Sequence, residues 1–235
     1  MKAILISGSY KGLSIPKEAI KFIEKNIKDN KVISFIASDF EDNEGTKKFV
    51  NKLVNSFKEQ SIIFEKIHII GSLKTKEEMH LNLEESNLVF LLGGDTLKQI
   101  KGIEKYSLKE LIKKEDKIIL GISAGAINLS SKVVLAKDEL DNIPELSIYE
   151  GIGISNINIE PHCDFKNKKH FLELEEASMY SPILLMNDDC FIIIEDDKYK
   201  YYGSYIILDK KVLFFNNKKC SLKEFLKQIN YKYDL

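Results

Sequence analysis

Arginine is absent from the 235 residues, so all 35 basic side chains are lysines. A substrate carboxylate must therefore be held by lysine, by backbone N–H groups or by neutral polar groups, because no guanidinium fork is present. The formal net charge is only −1. This balance gives no electrostatic case for nucleic acid or a membrane surface as the partner.

Cysteine is scarce as well. The three cysteines, Cys163, Cys190 and Cys220, are odd in number and scattered, which argues against a disulfide framework and shows no metal-ligand spacing. No apolar run approaches membrane-spanning length, and the first one, over residues 1–6, is too short for a secretory signal. We therefore expect a cytoplasmic protein.

Short apolar strands alternate with helical segments over the first 131 residues. The strands are predicted at residues 3–6, 32–36, 67–70, 88–92 and 117–120, and the clearest helices at 16–28, 46–60 and 96–115. This alternation predicts an α/β fold with a mainly parallel sheet and helices on both faces. Ligands of such sheets bind outside the carboxyl ends of the strands.

The sequence becomes rich in strand-like segments after about residue 131. Strand-like runs occur at residues 133–135, 157–159, 183–186, 191–194, 201–207 and 212–215, and a closing helix is predicted at 221–229. Asp196-Asp197 and Asp209-Lys210-Lys211 are typical of hairpin turns. Because the sequence shows no linker or repeat, we expect this tail to extend the same sheet and residues 1–235 to form a single domain.

The most informative segment is the hexapeptide GISAGA, residues 121–126, which follows an apolar run and precedes a helical segment. A strand, a sharp turn with serine at its tip and a helix form a nucleophile elbow. The strained turn needs small neighbours, which Gly121, Ala124 and Gly125 provide. The alternative is an ordinary strand-to-helix turn in which Ser123 caps the helix.

A catalytic serine needs a base, and the chain has four histidines. His162 follows a strand-like run at a turn marked by Pro161, where a base would be displayed. His68 lies inside a predicted strand and is interpreted as a core or edge residue. His80 and His170 lie in helical stretches rich in lysine and glutamate, which favours the protein surface.

A third group should orient the imidazole, and an oxyanion needs N–H donors. Composition leaves six acids open, which are Asp138, Asp141, Glu160, Asp164, Asp188 and Asp189. The loop Gly93-Gly94 directly follows a buried strand. It is either half of an oxyanion hole, with the Ala124 N–H as the other donor, or a tight turn before the next helix.

Three segments in this order resemble the peptidase E (aspartyl dipeptidase) and cyanophycinase family of serine peptidases. They are LLGGDT at 91–96, GISAGA at 121–126 and Pro161-His162. The resemblance covers roughly residues 1–215 and is anchored at 88–165. It implies a flavodoxin-like α/β fold related to the class I glutamine amidotransferases, a three-layer sandwich with a mainly parallel sheet and a β-rich C-terminal extension.

The resemblance also implies a Ser-His-acid triad without metal or cofactor, with Ser123 as the nucleophile and His162 as the base. The family's acid is usually a glutamate in a turn after a late strand. Asp188 stands in the matching place and departs from that pattern by its shorter reach. Asp189 is the neighbouring alternative, and Asp138 lies where an aspartate is implicated in the dipeptidase branch.

The same resemblance assigns the oxyanion hole to the N–H groups of Gly94 and Ala124. Asp95 replaces a common asparagine there, and we expect it to cap the following helix, since a carboxylate beside an oxyanion is unfavourable. The implied substrates are small peptides, with Asp-X dipeptides and the β-aspartyl-arginine polymer as the suggested types. We expect a monomer or homodimer that acts on a small peptide, with no nucleic-acid or membrane partner.

Two rivals remain at this point. An α/β-hydrolase-like esterase orders its triad Ser, acid, His, which needs Asp138 or Asp141 as the acid and His162 or His170 last. A non-catalytic flavodoxin-like domain would instead bind a phosphorylated ligand at the Ser/Gly turn of residues 7–10. An inactive homologue of the peptidases, used for regulation, is a further form of the second rival.

Overall fold

The computed structural model describes residues 1–8, 14–27, 29, 31–138, 143–215 and 218–225. In this part of the chain the strands are β1 (Lys2–Ile6), β2 (Val32–Ile36), β3 (Lys66–Ile70), β4 (Leu88–Leu91), β5 (Ile118–Ile122), β6 (Lys132–Leu135), β7 (Ser147–Glu150), β8 (Asn158–Glu160), β9 (Ile183–Met186), β10 (Phe191–Glu195), β11 (Lys198–Tyr202), β12 (Tyr205–Asp209), β13 (Val212–Phe215) and β14 (Lys218–Ser221). The helices are α1 (Lys17–Asn26), α2 (Asn43–Glu59), α3 (Lys76–Glu85), α4 (Thr96–Lys105), α5 (Lys109–Ile112), α6 (Ala124–Asn128) and α7 (Lys168–Ala177).

A seven-stranded sheet with the order β11-β10-β1-β5-β4-β2-β3 forms the centre of the molecule. The neighbouring strands β1, β5, β4, β2 and β3 are all parallel, as the sequence predicted. On the other side of β1, β10 pairs antiparallel with β1 and β11 pairs antiparallel with β10. Because β5 lies between β1 and β4, the loops that follow these three strands meet at one edge of the sheet. The amino end of β10 lies at the same edge, since Phe191 pairs with Ile6.

The two faces of this sheet are covered by different helices, which gives three layers. Alternate strand residues such as Ile4 and Phe90 pack under α1 and α2 on one face, and Leu5 and Leu91 pack under α3 to α6 on the other. Phe90 has no solvent-exposed area and contacts the ring of Phe35 at 5.5 Å between centroids. Full burial of such a side chain contributes about 1.5–3 kcal/mol.

The expectation that the whole β-rich tail extends this sheet is wrong in part. Among the described strands of the tail, β10 and β11 do so, while β8, β9 and β12 to β14 form a second, five-stranded sheet and β6 pairs with β7. The predicted run at 201–207 contains parts of two strands. The strand is interrupted at Gly203-Ser204, after which β12 pairs with β9. The second sheet has its own core, built around Phe171 and Leu185, because the apolar side chains of its strands pack against α7.

Both predicted hairpin turns are present, at Asp196-Asp197 between β10 and β11 and at Lys210-Lys211 between β12 and β13, with positive φ at all four residues. The helix expected at 96–115 is interrupted after Lys105, where Ser107 adopts φ 57°. Residues 226–229 of the closing helix lie outside the described residues. None of the described helices is long and apolar enough to cross a membrane.

Candidate active site

Ser123 lies in the turn between β5 and α6 with φ 51° and ψ −117°. A non-glycine residue in this region costs on the order of 1–3 kcal/mol and persists only where its surroundings hold it. The Ser123 N–H donates to the carbonyl of Ile6 at 3.0 Å, which continues the pairing of β5 with β1. A Cβ on Gly121 would lie 2.7 Å from the backbone of Gly125, so the turn closes only with glycine there.

His162 follows β8 by two residues and lies beside Ser123. Its Nε2 is 3.0 Å from Ser123 Oγ, and its Nδ1 is 2.6 Å from Asp188 Oδ1. His162 also has a left-handed backbone, with φ 56°. Ser123, His162 and Asp188 thus form a continuous hydrogen-bonded line, in which an Nδ1–H donated to Asp188 leaves Nε2 to accept the serine proton.

The other described acids named from the sequence have different partners, and Asp164 accepts from the N–H of Lys166 at 2.9 Å. Asp189 accepts from the N–H of Ser204 at 3.1 Å and from its hydroxyl at 3.3 Å, and so fixes the turn before β12. Asp138 belongs to a cluster with Glu160 and His170. Asp141 lies outside the described residues. Among the described acids that the sequence offered, the structure brings Asp188 into contact with His162.

The loop Gly93-Gly94 lies against the elbow. A Cβ on Gly93 would be 3.4 Å from Ser123 Cβ, and Gly94 and Ser123 line the same cavity. Ala124 is the first residue of α6, so its N–H has no acceptor within the helix. Asp95 caps α4 by accepting from the N–H of Lys98 at 2.8 Å, as expected.

A buried polar network beneath the site was missed by sequence reasoning. Asn128 of α6 donates to the carbonyl of Thr96 at 2.9 Å and to the side chain of Gln99 at 3.1 Å. Gln99 in turn donates to the carbonyl of Leu92 at 2.9 Å, and Tyr149 donates to Asn128 Oδ1 at 2.9 Å. The network ties the elbow helix to the glycine loop. Its one sequence signal is an amide side chain at the end of an otherwise small and apolar helix.

A cavity of about 330 Å³ opens beside Ser123, and its described lining includes Asp138, Glu160, Asp164 and His170 but no lysine. The expectation that His170 is a surface residue is wrong, since its side chain is only 14% exposed. Nε2 of His170 lies 3.5 Å from Glu160 Oε1. Burial disfavours the charged ring, but the carboxylates of Glu160, Asp138 and Glu173 outweigh this and raise the pKa of His170.

Asp138, Glu160 and His170 are also the group, among the described residues, whose side chains could hold a metal ion, with one ligand atom from each and all within 4.8 Å of one another. The two remaining histidines lie outside the cavity lining. His68 pairs with Glu85 at 2.6 Å on the edge strand β3, as expected, and His80 bonds the carbonyl of Tyr106.

The comparisons with known proteins agree with this architecture. The model of peptidase family S51 matches residues 3–202. The crystal structure of a peptidase from an acI-B1 Actinobacterium is similar with a TM-score of 0.67 and 15% identity, covering 94% of this chain and 96% of that chain. A peptidase E candidate from Listeria monocytogenes EGD-e is similar with a TM-score of 0.61 and 16% identity, covering 86% and 97%. No curated protein matches the chain. The likeness to these structures confirms the α/β three-layer fold.

The charge of His170 predicts a pH-dependent contribution to stability. Because the folded-state pKa of His170 is raised, its ion pairs stabilise the protein fully below the unfolded pKa of about 6.5, and this stabilisation is lost as the pH rises through the folded pKa. His170→Gln should therefore lower the free energy of unfolding in urea more at pH 5.5 than at pH 8.5. In a Glu160→Gln background this difference should shrink. An equal loss at both pH values would contradict the assignment.

Proposed function

Because the chain belongs to peptidase family S51, as its three sequence segments predicted, and is a serine peptidase, we propose that it hydrolyses small peptides through an acyl-enzyme on Ser123. His162 is the general base and Asp188 the acid that orients it. The observation that carries the proposal is the hydrogen-bonded line from Ser123 Oγ to His162 Nε2 at 3.0 Å and from His162 Nδ1 to Asp188 Oδ1 at 2.6 Å.

In the first step Ser123 Oγ attacks the peptide carbonyl carbon while its proton moves to His162 Nε2. The carbonyl π electrons move onto oxygen, and the imidazolium is stabilised by the carboxylate of Asp188. The order of these groups along the chain is Ser, His, acid, which differs from the Ser, acid, His order of α/β-hydrolases. The esterase rival therefore has no support from this geometry.

The developing oxyanion is held by the N–H groups of Gly94 and Ala124. Ala124 supplies a free N–H at the start of α6, and Gly94 lines the cavity next to Ser123. One such donor contributes about 10²–10³ in kcat. His162 then gives its proton to the leaving amine as the C–N bond breaks, and water, activated by the same imidazole, hydrolyses the ester and regenerates Ser123.

The finer part of the proposal concerns Asp-X dipeptides, the substrates that the resemblance suggests. Among the described residues that line the cavity, His170 is the basic group outside the proposed triad, and the nearby carboxylates, which outweigh its burial, raise its pKa. It already faces Glu160, and Asp138 and Asp164 line the same cavity. Recognition of an acidic side chain therefore depends on the charge of His170 and on backbone N–H groups.

The role of Ser123 is tested with a fluorophosphonate probe, which modifies an activated serine. The wild-type chain should be labelled, and Ser123→Ala should lose both labelling and peptide hydrolysis, because the nucleophile is removed. Ser130→Ala is a matched control, since Ser130 is a buried serine that bonds the carbonyl of Lys132 away from the triad. Full hydrolytic activity in Ser123→Ala would contradict the proposal. A wild type that is not labelled would indicate an inactive homologue.

The role of Asp188 is tested against its neighbour. Asp188→Asn should lower kcat on the order of 10⁴-fold, because the base loses the group that fixes its tautomer. Asp189→Asn should keep kcat within about threefold, a change of about 0.7 kcal/mol in the activation free energy, since Asp189 bonds Ser204 instead of His162 and an asparagine Oδ1 can still accept from the Ser204 N–H. Steady-state kinetics of both variants decide the point, and the reverse ranking would assign the acid to Asp189.

Substrate preference is tested with a dipeptide library that contains Asp-X, isoaspartyl, neutral and basic members. We expect cleavage of Asp-X members to fall at least about tenfold in His170→Gln, the loss of one charge-assisted hydrogen bond, and neutral members to change little. Cleavage of neutral or basic members without Asp-X would leave the serine peptidase intact and reject the Asp-X part.

A further inference from the structure

The residues directly after β1, Ser7 and Gly8, lie under the His162–Asp188 pair. The sequence suggested this turn as a phosphate loop, with Ser9 and Tyr10, which lie outside the described residues. We infer that Ser7 and Gly8 are positioning residues, which hold the base and the acid in line with Ser123. The inference rests on the proposed triad.

The Ser7 hydroxyl joins the two loops that carry the pair. It accepts from the N–H of His162 at 2.9 Å and donates to the carbonyl of Met186, at the end of β9, at 3.0 Å. Met186 precedes Asp188 by two residues. Ser7 has no solvent-exposed area, and both its proton and a lone pair are used, so the hydroxyl serves the protein backbone rather than a ligand.

The hydrogen bond to His162 compensates for a strained backbone. His162 has φ 56°, a conformation that is strained for a non-glycine residue and persists only where its surroundings hold it. Without the Ser7 hydroxyl the His162 N–H would lose this partner, and the strained backbone would lose the bond that holds it in place. A neighbouring conformation would then compete, and in it the imidazole would no longer lie 3.0 Å from Ser123 Oγ.

Gly8 acts by the atom that it lacks. A Cβ at Gly8 would collide with Asp188 Oδ1 and would lie 2.9 Å from both Cε1 and Nδ1 of His162. The imidazole and the carboxylate therefore lie directly on the Gly8 backbone, at the hydrogen bond between them. Any side chain at this position must displace at least one of the two groups.

The same short segment also fixes Ser123. The carbonyl of Ile6 accepts from the Ser123 N–H at 3.0 Å, and the Ser7 N–H donates to the carbonyl of Cys190 at 3.0 Å. Ile6 and Ser7 thus bond the backbone of the nucleophile, the backbone of the base and the chain on both sides of the acid. This explains how one turn can set the relative positions of three groups that come from distant parts of the chain.

The experiment compares Ser7→Ala with Ser34→Ala and Gly8→Ala with Gly71→Ala. Ser34 is equally buried but lies in β2 and bonds Ser86. Gly71 follows β3, and its nearest atoms would lie 3.5 Å from an added Cβ, an ordinary contact. Each folded variant is measured for kcat, KM, the rate of fluorophosphonate labelling and the pH profile of kcat/KM.

Ser7→Ala and Gly8→Ala should each lower kcat and the labelling rate by about 10- to 100-fold, as expected for a misplacement of catalytic groups by about 1 Å. KM should change little, and the pH profile of kcat/KM should differ from that of the wild type, because the contact of His162 with Asp188 is altered. The two control variants should keep wild-type values for all four quantities, whatever their stability.

The outcomes separate this inference from the proposed function. A wild type that is not labelled, or an active Ser123→Ala, rejects the triad itself. A labelled wild type together with wild-type labelling rates and pH profiles in Ser7→Ala and Gly8→Ala rejects only the positioning role. Loss of folding in both variants, with Ser34→Ala and Gly71→Ala folded, would assign the turn to the fold and would also overturn the inference.

Discussion

The site depends on the pairing of β5 between β1 and β4. Three parallel neighbours end at one edge of the sheet, so residues that are far apart in sequence, Ser7, Gly94 and Ser123, follow adjacent strands. The antiparallel β10 brings the turn with Asp188 to the same edge, because Phe191 pairs with Ile6. A slip of any of these strands by one residue would reverse its side chains and separate the groups.

Two strained residues, Ser123 and His162, lie at the centre of this arrangement. The backbone strain costs on the order of 1–3 kcal/mol at each residue. The packing of the layers offsets this cost, since every residue of β5 is buried. Each strained residue is also bonded through its N–H to the end of β1, one through Ile6 and the other through Ser7. The fold therefore stabilises what the local backbone disfavours, which allows the two reactive groups to face each other.

The sequence predicted the parallel sheet, the turn at Ser123 and the position of His162, because each has a local signal. These signals are alternating apolar runs, a GxSxG turn and a strand end marked by proline. It did not predict the second sheet, because residues 201–207 have the sequence pattern of one continuous strand. In the structure the strand is interrupted at Gly203-Ser204, and β12 pairs with β9. It also placed His170 on the surface, because the Lys/Glu-rich pattern of α7 does not reveal that Glu160 lies beside His170. Contacts across more than one element have no local signature.

The proposed acid, Asp188, could not be chosen from the sequence alone. Asp188 and Asp189 are adjacent and alike in composition, and an aspartate reaches less far than the glutamate that the family resemblance implies. Asp188 nevertheless approaches His162 Nδ1 to 2.6 Å. The absence of a Cβ at Gly8 lets both side chains lie on the backbone that follows β1, which shortens the distance that the acid has to span. The reach of the proposed acid thus depends on both residue 188 and residue 8, and neither position alone reveals it in the sequence.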